Sequence, residues 1–331
     1  MEFPTTPSFR LENKRALVTG AGRGIGLGAA IALSEAGSEV VMLSRTKEDL
    51  EKIKKHICKN GKEAYYKVLD VNKTLDVENF IKKEKPFDIL INNAGTNIPS
   101  SLINTKIKDF DYLISLNIKS VINLTRLVVS KMIKDKIKGS IINVSSQMGH
   151  VGAINRTTYC TTKFAIEGFT KALSLELAKY GIRVNSVCPT FIKTPMTKVF
   201  FKNKNFEKEV ISKIPLKRLG EIRDLMGPFV FLASDASSYM TGQLVVVENL
   251  ALTGVLDLVG HLLDRRVEAV DRDETDRRVF RTVALRRHVA LAGVDRELHA
   301  DLGALVEGAQ DEIGVQNLDV ADRLDVTGRH H

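Results

Sequence analysis

Tyr159 and Lys163 stand in a Y-x-x-x-K pair, and Ser146 lies thirteen positions before the tyrosine. On a helix, residues four apart share a face. A free tyrosine titrates at roughly 10, too high for efficient acid–base work at neutral pH. An adjacent ammonium favours the phenolate and is expected to lower that value. A serine hydroxyl within reach would hold a substrate oxygen and offset the charge that develops there. Asn117, within Leu116-Asn117-Ile118, is placed to anchor a water that relays protons to Lys163. These residue types suit proton exchange at a carbonyl or alcohol oxygen. Tyr-x-x-x-Lys alone is most often a surface pair; the upstream Asn143-Val144-Ser145-Ser146 at a strand end reverses that balance.

Such chemistry needs a hydride partner, and the chain has a cradle for one. The run Thr19-Gly20-Ala21-Gly22-Arg23-Gly24-Ile25-Gly26 follows a short apolar strand and leads into a helix. That arrangement turns backbone N–H groups and a positive helix end toward a pyrophosphate. Its Gly20-x3-Gly24-x-Gly26 spacing differs from the common dinucleotide fingerprint. An acid at the end of the second strand would bind a ribose 2′-OH, whereas a basic residue accommodates a 2′-phosphate. The chain reads Leu43-Ser44-Arg45 there, and Arg23 is a second phosphate candidate, so NADP(H) is expected over NAD(H). Asp70-Val71 ends the third strand, where a carboxylate can accept from an adenine amino group. Asn92-Asn93-Ala94-Gly95 ends the fourth with small residues that let backbone pass close to a cofactor. Lys163 can also donate to the nicotinamide ribose hydroxyls.

The elements that must position these groups alternate. Strands are predicted at Arg15–Thr19, Glu39–Leu43, Ala64–Leu69, Phe87–Ile91, Gly139–Val144, Arg183–Val187 and Gln243–Val247, with helical stretches between them, including Ala29–Ala36 and Lys47 to about Lys59. This βαβα order predicts an α/β fold, a parallel sheet with helices on both faces. The strands are continuous apolar runs, as expected of strands buried on both sides. Three cysteines, Cys58, Cys160 and Cys188, show no pairing pattern or metal spacing, so a reducing cytoplasm and no metal are expected. The first residues lack a basic start followed by an apolar run, and no apolar stretch is expected to span a membrane.

Net charge is +9, but it is split. Residues 1–247 carry 29 lysines and 9 arginines against 23 acids, a balance of +15; residues 248–331 carry no lysine and 11 arginines against 17 acids, a balance of −6. Phe280 is the tail's only aromatic. The lysines of the front segment are scattered and no recognition motif appears, so nucleic-acid binding is not expected.

Residues about 8–247 resemble a short-chain dehydrogenase/reductase. The resemblance rests on Thr19-Gly20-x3-Gly24-Ile25-Gly26, Asp70, Asn92-Asn93-Ala94-Gly95, Asn117, Ser146, Tyr159 and Lys163, in order and spacing. Gluconate 5-dehydrogenase-like and 3-oxoacyl-carrier-protein reductase-like members are the nearest in flavour. The resemblance implies a seven-stranded Rossmann-type doubly wound sheet, hydride transfer between NAD(P) and a carbonyl/alcohol pair, and an Asn117-Ser146-Tyr159-Lys163 tetrad. It also implies a homotetramer built through the Lys106–Lys134 and Tyr159–Tyr180 helices. Pro189, Thr190, Ile192 and Thr194 fall where the family meets the nicotinamide, with Thr194 on its carboxamide. Thr190 stands where the family has glycine, which is expected to alter nicotinamide packing modestly. After Val247 the family pattern continues into Asp-Gly-Gly and a short end; this chain reads Glu248-Asn249-Leu250 and continues. Residues 1–247 are thus expected to form the NADP-binding domain. Residues 248–331 are expected to be an atypical tail, helical or disordered, arising by readthrough, frameshift or chimera, with an appended helical module as the alternative.

On the substrate side, Phe191, Thr194, Met196, Phe200, Phe201 and Phe206 suggest a lid. Gln147, His150 and Arg156 lie between the serine and the tyrosine; His150 or Arg156 is expected to meet an anionic or polyhydroxylated substrate such as a sugar acid. The leading expectation is an NADP(H)-dependent oxidoreductase on a small carbonyl/alcohol substrate, a sugar acid, ketose or 3-oxoacyl compound. A catalytically silent NADP-binding redox sensor on the same fold is the alternative.

Overall fold

The computed structural model describes residues 3–247. Seven strands form one sheet: β1 (Arg15–Thr19), β2 (Glu39–Ser44), β3 (Ala64–Val68), β4 (Ile89–Asn92), β5 (Ser140–Val144), β6 (Arg183–Pro189) and β7 (Leu244–Val247). Their spatial order is β3-β2-β1-β4-β5-β6-β7, and every pairing is parallel. The helices are α1 (Gly24–Glu35), α2 (Lys47–Lys59), α3 (Thr74–Lys83), α4 (Ile107–Ile114), α5 (Ser120–Lys134), α6 (Thr157–Leu177), α7 (Pro195–Lys198), α8 (Lys204–Lys213) and α9 (Ile222–Ala233).

Alternation along each strand feeds two cores. Ala16, Val18, Val40, Met42, Ile89 and Ile91 face one side, where α1, α2 and α9 cover them with Leu33, Leu50 and Phe229. Leu17, Val41, Leu43, Leu90 and Ile141 face the other, against Phe80 of α3, Leu124, Val128 and Met132 of α5, and Leu177 of α6. Both faces of β1, β2, β4 and β5 are therefore buried, as expected of central parallel strands, whereas the edge strands β3 and β7 leave Tyr65, Val68 and Val246 exposed.

Two expectations shift. Helix α1 begins at Gly24 rather than Ala29. Its glycines serve close packing: a Cβ on Gly28 would collide with the Ile222 side chain of α9. The run Ile107–Lys134 also corrects the expectation about membrane-length stretches. It covers 28 residues and contains an 18-residue stretch with a mean hydropathy of 1.3, long and apolar enough by composition to cross a bilayer. Half of its apolar stretch is buried against the sheet and its neighbours, so it is a core segment. A π-helical turn at Ser115–Lys119 joins α4 to α5 within it. The expectation for residues 248–331 lies outside the described residues.

Candidate active site

The strand order reverses between β1 and β4, and in doubly wound sheets the ligand crevice opens at such a point, beyond the carboxyl ends of the strands. A cleft of about 470 Å³ lies there. Thr19 and Asn93 fix its floor. Thr19 Oγ1 accepts from the backbone N–H of Asn93 at 2.9 Å and of Ala94 at 3.0 Å, and Asn93 Nδ2 donates back to the Thr19 carbonyl at 2.8 Å. Gly20 sits at φ +63°, and a Cβ there would come within 2.9 Å of Asn93 Nδ2. A Cβ on Gly26 would collide with the same amide and with the Gly20 carbonyl.

Arg23, the N-cap of α1, provides no side-chain cap, so the helix's first N–H groups are open to an anion. Gly20, Arg23, Gly24 and Ile25 line the cleft, whereas Gly26 packs beneath. Ser44, Arg45, Asp70 and Val71 line its far end, and Ala94 and Gly95 its wall. The open helix terminus and the side-chain-free turn fit a dinucleotide pyrophosphate. The Arg45 guanidinium is 3.9 Å from Asp70 Oδ2 and donates to Tyr112 Oη at 3.4 Å. Asp70 Oδ1 accepts from the Asn72 N–H at 3.0 Å.

Ser146, Tyr159 and Lys163 also line the cleft. Strand β5 ends just before the serine, and α6 presents the tyrosine and lysine one turn apart. Ser146 Oγ accepts from the Met148 N–H at 3.1 Å, which fixes its rotamer, and the serine shares the cleft with Tyr159. Burial pushes the Tyr159 phenol up to about 12, and the neighbouring Ser146 hydroxyl draws it the other way. Lys163 is buried; its ammonium donates to the Val144 carbonyl at 2.8 Å and lies 5.7 Å from the Tyr159 ring centroid. Burial brings the ammonium down to about 8. The structure thus differs from the expectation of a phenol lowered by its neighbour: desolvation of the phenol dominates, and the Lys163 ammonium is itself destabilised and turned to a backbone oxygen.

Asn117 occupies the π-helical turn and is buried. Its Oδ1 accepts from the Thr96 N–H at 3.0 Å, and its Nδ2 donates to the Thr96 carbonyl at 2.9 Å and to Thr162 Oγ1 at 3.1 Å. Both amide hydrogens are spent on protein. Asn117 ties the β4 loop to α6, which leaves its side chain no donor for the relay water expected from the sequence.

Pro189, Thr190, Ile192 and Thr194 close the other side of the cleft with Met196 and Thr197. Thr190 keeps a negative φ and donates to Gln147 Oε1 at 3.0 Å, so its replacement of glycine needs no left-handed backbone. The expected lid differs in composition. Phe191, Phe201 and Phe206 pack on each other at centroid distances of 6.1–6.3 Å in a satellite core, and the threonines and Met196 face the cleft. Gln147, His150 and Arg156 are not among the lining residues. His150 turns inward to Cys188 at 3.4 Å, and the Arg156 guanidinium lies 5.2 Å from the centre of the Phe200 ring. Sequence reasoning missed Tyr112, Ser145 and Thr197 in the lining and the Val144 carbonyl as the partner of Lys163.

Residues 14–205 match the short chain dehydrogenase family. The chain is 38% identical over 244 residues to the 3-oxoacyl-(acyl-carrier-protein) reductase FabG of Thermotoga maritima, covering 72% of this chain and 98% of that one. It is 36% identical over 240 residues to the L-xylulose reductase of Bos taurus, covering 72% and 97%. A gluconate 5-dehydrogenase from Burkholderia cenocepacia, solved with NADP and tartrate, superposes with a TM-score of 0.70 at 32% identity, covering 73% and 96%. With the seven-stranded parallel sheet and the serine, tyrosine and lysine gathered at its crevice, the chain belongs to the short chain dehydrogenase family, as an oxidoreductase acting on CH–OH and C=O groups.

Proposed function

We propose that the protein is an NADP(H)-dependent oxidoreductase that interconverts a carbonyl and an alcohol on a small polyhydroxylated or 3-oxoacyl substrate. The observation that carries this reading is the gathering of Ser146, Tyr159 and Lys163 in the one cleft that also holds the uncapped end of α1. NAD(P)H bound in the cleft supplies the hydride in reduction, and the oxidised form accepts it in the reverse direction. Ser146 holds the substrate oxygen, and the Tyr159 phenol gives it a proton. The buried Lys163 ammonium offsets the charge left on the phenolate. Asn117 is a positioning residue that holds the β4 loop against α6.

NADP(H) is favoured over NAD(H) because Arg45, not an acid, stands at the end of β2, with Arg23 at the start of α1. NADP in the related gluconate 5-dehydrogenase agrees with this choice. His150 and Arg156 are left out of the substrate contacts, since both are engaged elsewhere. Residues 1–247 form the catalytic domain in this reading, and the 72–73% of the chain that the relatives cover supports that limit. Ile107 and Ile122 on α4 and α5, with Phe164 and Leu175 on α6, are exposed and give a homo-oligomer an apolar face. Three free cysteines suit a reducing cytoplasm.

The test is a coupled assay of the full chain with NADPH and NADH over ketoses, sugar acids and 3-oxoacyl thioesters. The expected result is turnover with higher kcat/KM for NADPH, falling by about 10²–10⁴-fold in Tyr159→Phe. Nucleotide binding without turnover, unchanged by that substitution, would instead favour the silent sensor.

A further inference from the structure

Behind the reaction centre, three distant stretches of chain bring together an imidazole, a carboxylate and a thiol. His150 follows the 3-10 turn after β5, Glu167 lies one turn beyond Lys163 on α6, and Cys188 is near the end of β6. His150 Nε2 is 3.4 Å from Cys188 Sγ and 4.0 Å from Glu167 Oε1. Cys188 Sγ donates to Glu167 Oε1 at 3.3 Å.

These lengths resemble the edges of a tetrahedral coordination shell. Zinc bonds of about 2.3 Å to sulfur and about 2.0–2.2 Å to nitrogen and oxygen place tetrahedral ligands roughly 3.4–3.6 Å apart. Two of the three edges are already within a few tenths of an ångström of that, and the third must close by about half an ångström. The surroundings also suit a site. Ser186 Oγ donates to the other Glu167 oxygen at 2.9 Å and so fixes the carboxylate, the usual task of an outer-shell partner. Ser145 Oγ is buried at the edge of the cluster and meets the distance and angle limits of a hydrogen bond with no partner among the described residues. Gly149 makes room: a Cβ there would stand 2.9 Å from Ser145 Oγ and 3.1 Å from Glu167 Cγ. Glu167 and Cys188 are buried, while the His150 side chain is 31% exposed and gives an ion a route in.

We propose that His150 Nε2, the Glu167 carboxylate and Cys188 Sγ form a binding site for a zinc-class divalent cation. The ligand set of one nitrogen, one oxygen and one thiolate sulfur favours zinc or cobalt(II) over magnesium or calcium. On binding, the thiol S–H bond breaks, a sulfur–metal bond forms and the proton leaves to solvent; nothing is oxidised or reduced. A fourth position remains for water or the Ser145 hydroxyl. The bound ion neutralises Glu167 one turn from Lys163, which couples the site to the reaction centre.

Cobalt(II) reports on this directly, because its thiolate complexes absorb in the near ultraviolet and its tetrahedral complexes in the visible. Residues 248–331 contain histidines but no cysteine, so only Cys58, Cys160 and Cys188 can give the thiolate band. Titrating the full chain with cobalt(II) is expected to give that band at one equivalent, with zinc displacing it. Cys188→Ser should abolish it, the surface substitution His150→Ala should weaken binding by at least about ten-fold, and Cys58→Ser should leave it intact. Absence of a stoichiometric thiolate band in the unaltered chain would overturn the proposal. So would a band lost in Cys58→Ser, or binding unchanged in His150→Ala, which also serves if Cys188→Ser fails to fold.

Discussion

Lys163 donates its ammonium to the Val144 carbonyl at 2.8 Å, beneath the ring of Tyr159. The cation is therefore held by the last residue of β5, and the sheet fixes its distance from the tyrosine. The arrangement is costly for folding. An ammonium brought from 10.5 to about 8 by burial opposes folding by roughly 3 kcal/mol at neutral pH. The bond to Val144 returns part of that, since an orphaned carbonyl would cost about 1–3 kcal/mol.

The first prediction follows from these two opposing amounts. Lys163→Met should lower kcat/KM by about 10²–10⁴-fold while Tm stays level or rises. In the unaltered protein, the folded state holds this proton less tightly than the unfolded chain. The penalty is full below about 8 and fades as pH rises toward 10.5, so the lysine's contribution to stability improves over that window. Calorimetry of both proteins at pH 7 and pH 10 checks the sign. A drop in Tm for the methionine variant at pH 7 would show that the lysine is a net stabiliser.

The same group should shape the pH–rate profile. With the Tyr159 phenol at about 12, the proton donor stays protonated through the working range. Lys163 loses its charge near 8. Reduction, measured as kcat/KM, is therefore expected to fall as pH rises through about 8, and oxidation, which needs the phenolate, to gain with pH. Lys163→Arg keeps its charge and should move the break out of the measured range even if it is slow. A flat reduction profile from pH 6 to 10 in the unaltered enzyme would count against Lys163 as the titrating group.

Arg45 concerns the cofactor rather than the chemistry. Its guanidinium is 61% exposed and its bonds to Tyr112 and Asp70 are long, so it can turn to a 2′-phosphate at little cost. Hydrogen bonds to a charged group contribute about 1.5–3 kcal/mol, so Arg45→Asp should shift the NADPH/NADH ratio of kcat/KM by roughly 10–100-fold toward NADH. Steady-state kinetics with both cofactors reads this. An unchanged ratio would move the phosphate contact to Arg23.

Much of this could be read from the chain alone. The strands are mostly apolar runs bounded by polar or glycine residues, so their places are legible to within about two positions. Tyr159 and Lys163 were legible because helical spacing puts them together whatever the rest does. Three features left no such trace. The partner of Lys163 is a backbone carbonyl, which has no residue signature. Asn117 sits in a π-helical turn that an ordinary helical sequence conceals, so its engagement with Thr96 and Thr162 was invisible. His150, Glu167 and Cys188 meet only because β5 and β6 are neighbours under α6. Composition singles out the phenylalanines near Thr194 but could not say that Phe191, Phe201 and Phe206 would face one another instead of the cleft.

A buried amide chain beneath the site offers the last prediction. Asn92 Nδ2 donates to Asn143 Oδ1 at 2.9 Å and to Thr125 Oγ1 at 2.8 Å, and Asn143 Nδ2 donates to Thr170 Oγ1 at 2.8 Å. These bonds join β4, β5, α5 and α6, so they set the spacing between the strand that leads to Ser146 and the helix that carries Tyr159 and Lys163. Asn143 is the middle member and is fully buried. Asn143→Ala leaves an amide hydrogen of Asn92 and one acceptor position of Thr170 unmatched, and it opens a small cavity. The expected loss of stability is about 2–4 kcal/mol, combining orphaned polar groups with lost packing. Activity at low temperature should fall too, mainly in kcat, because α6 loses one of its two anchors to β5, keeping Lys163–Val144, while the cofactor cradle at β1 is untouched. Denaturant unfolding with parallel kinetics separates these effects. A variant that loses stability but keeps kcat would show that α6 is positioned from elsewhere, through Asn117 and Thr162.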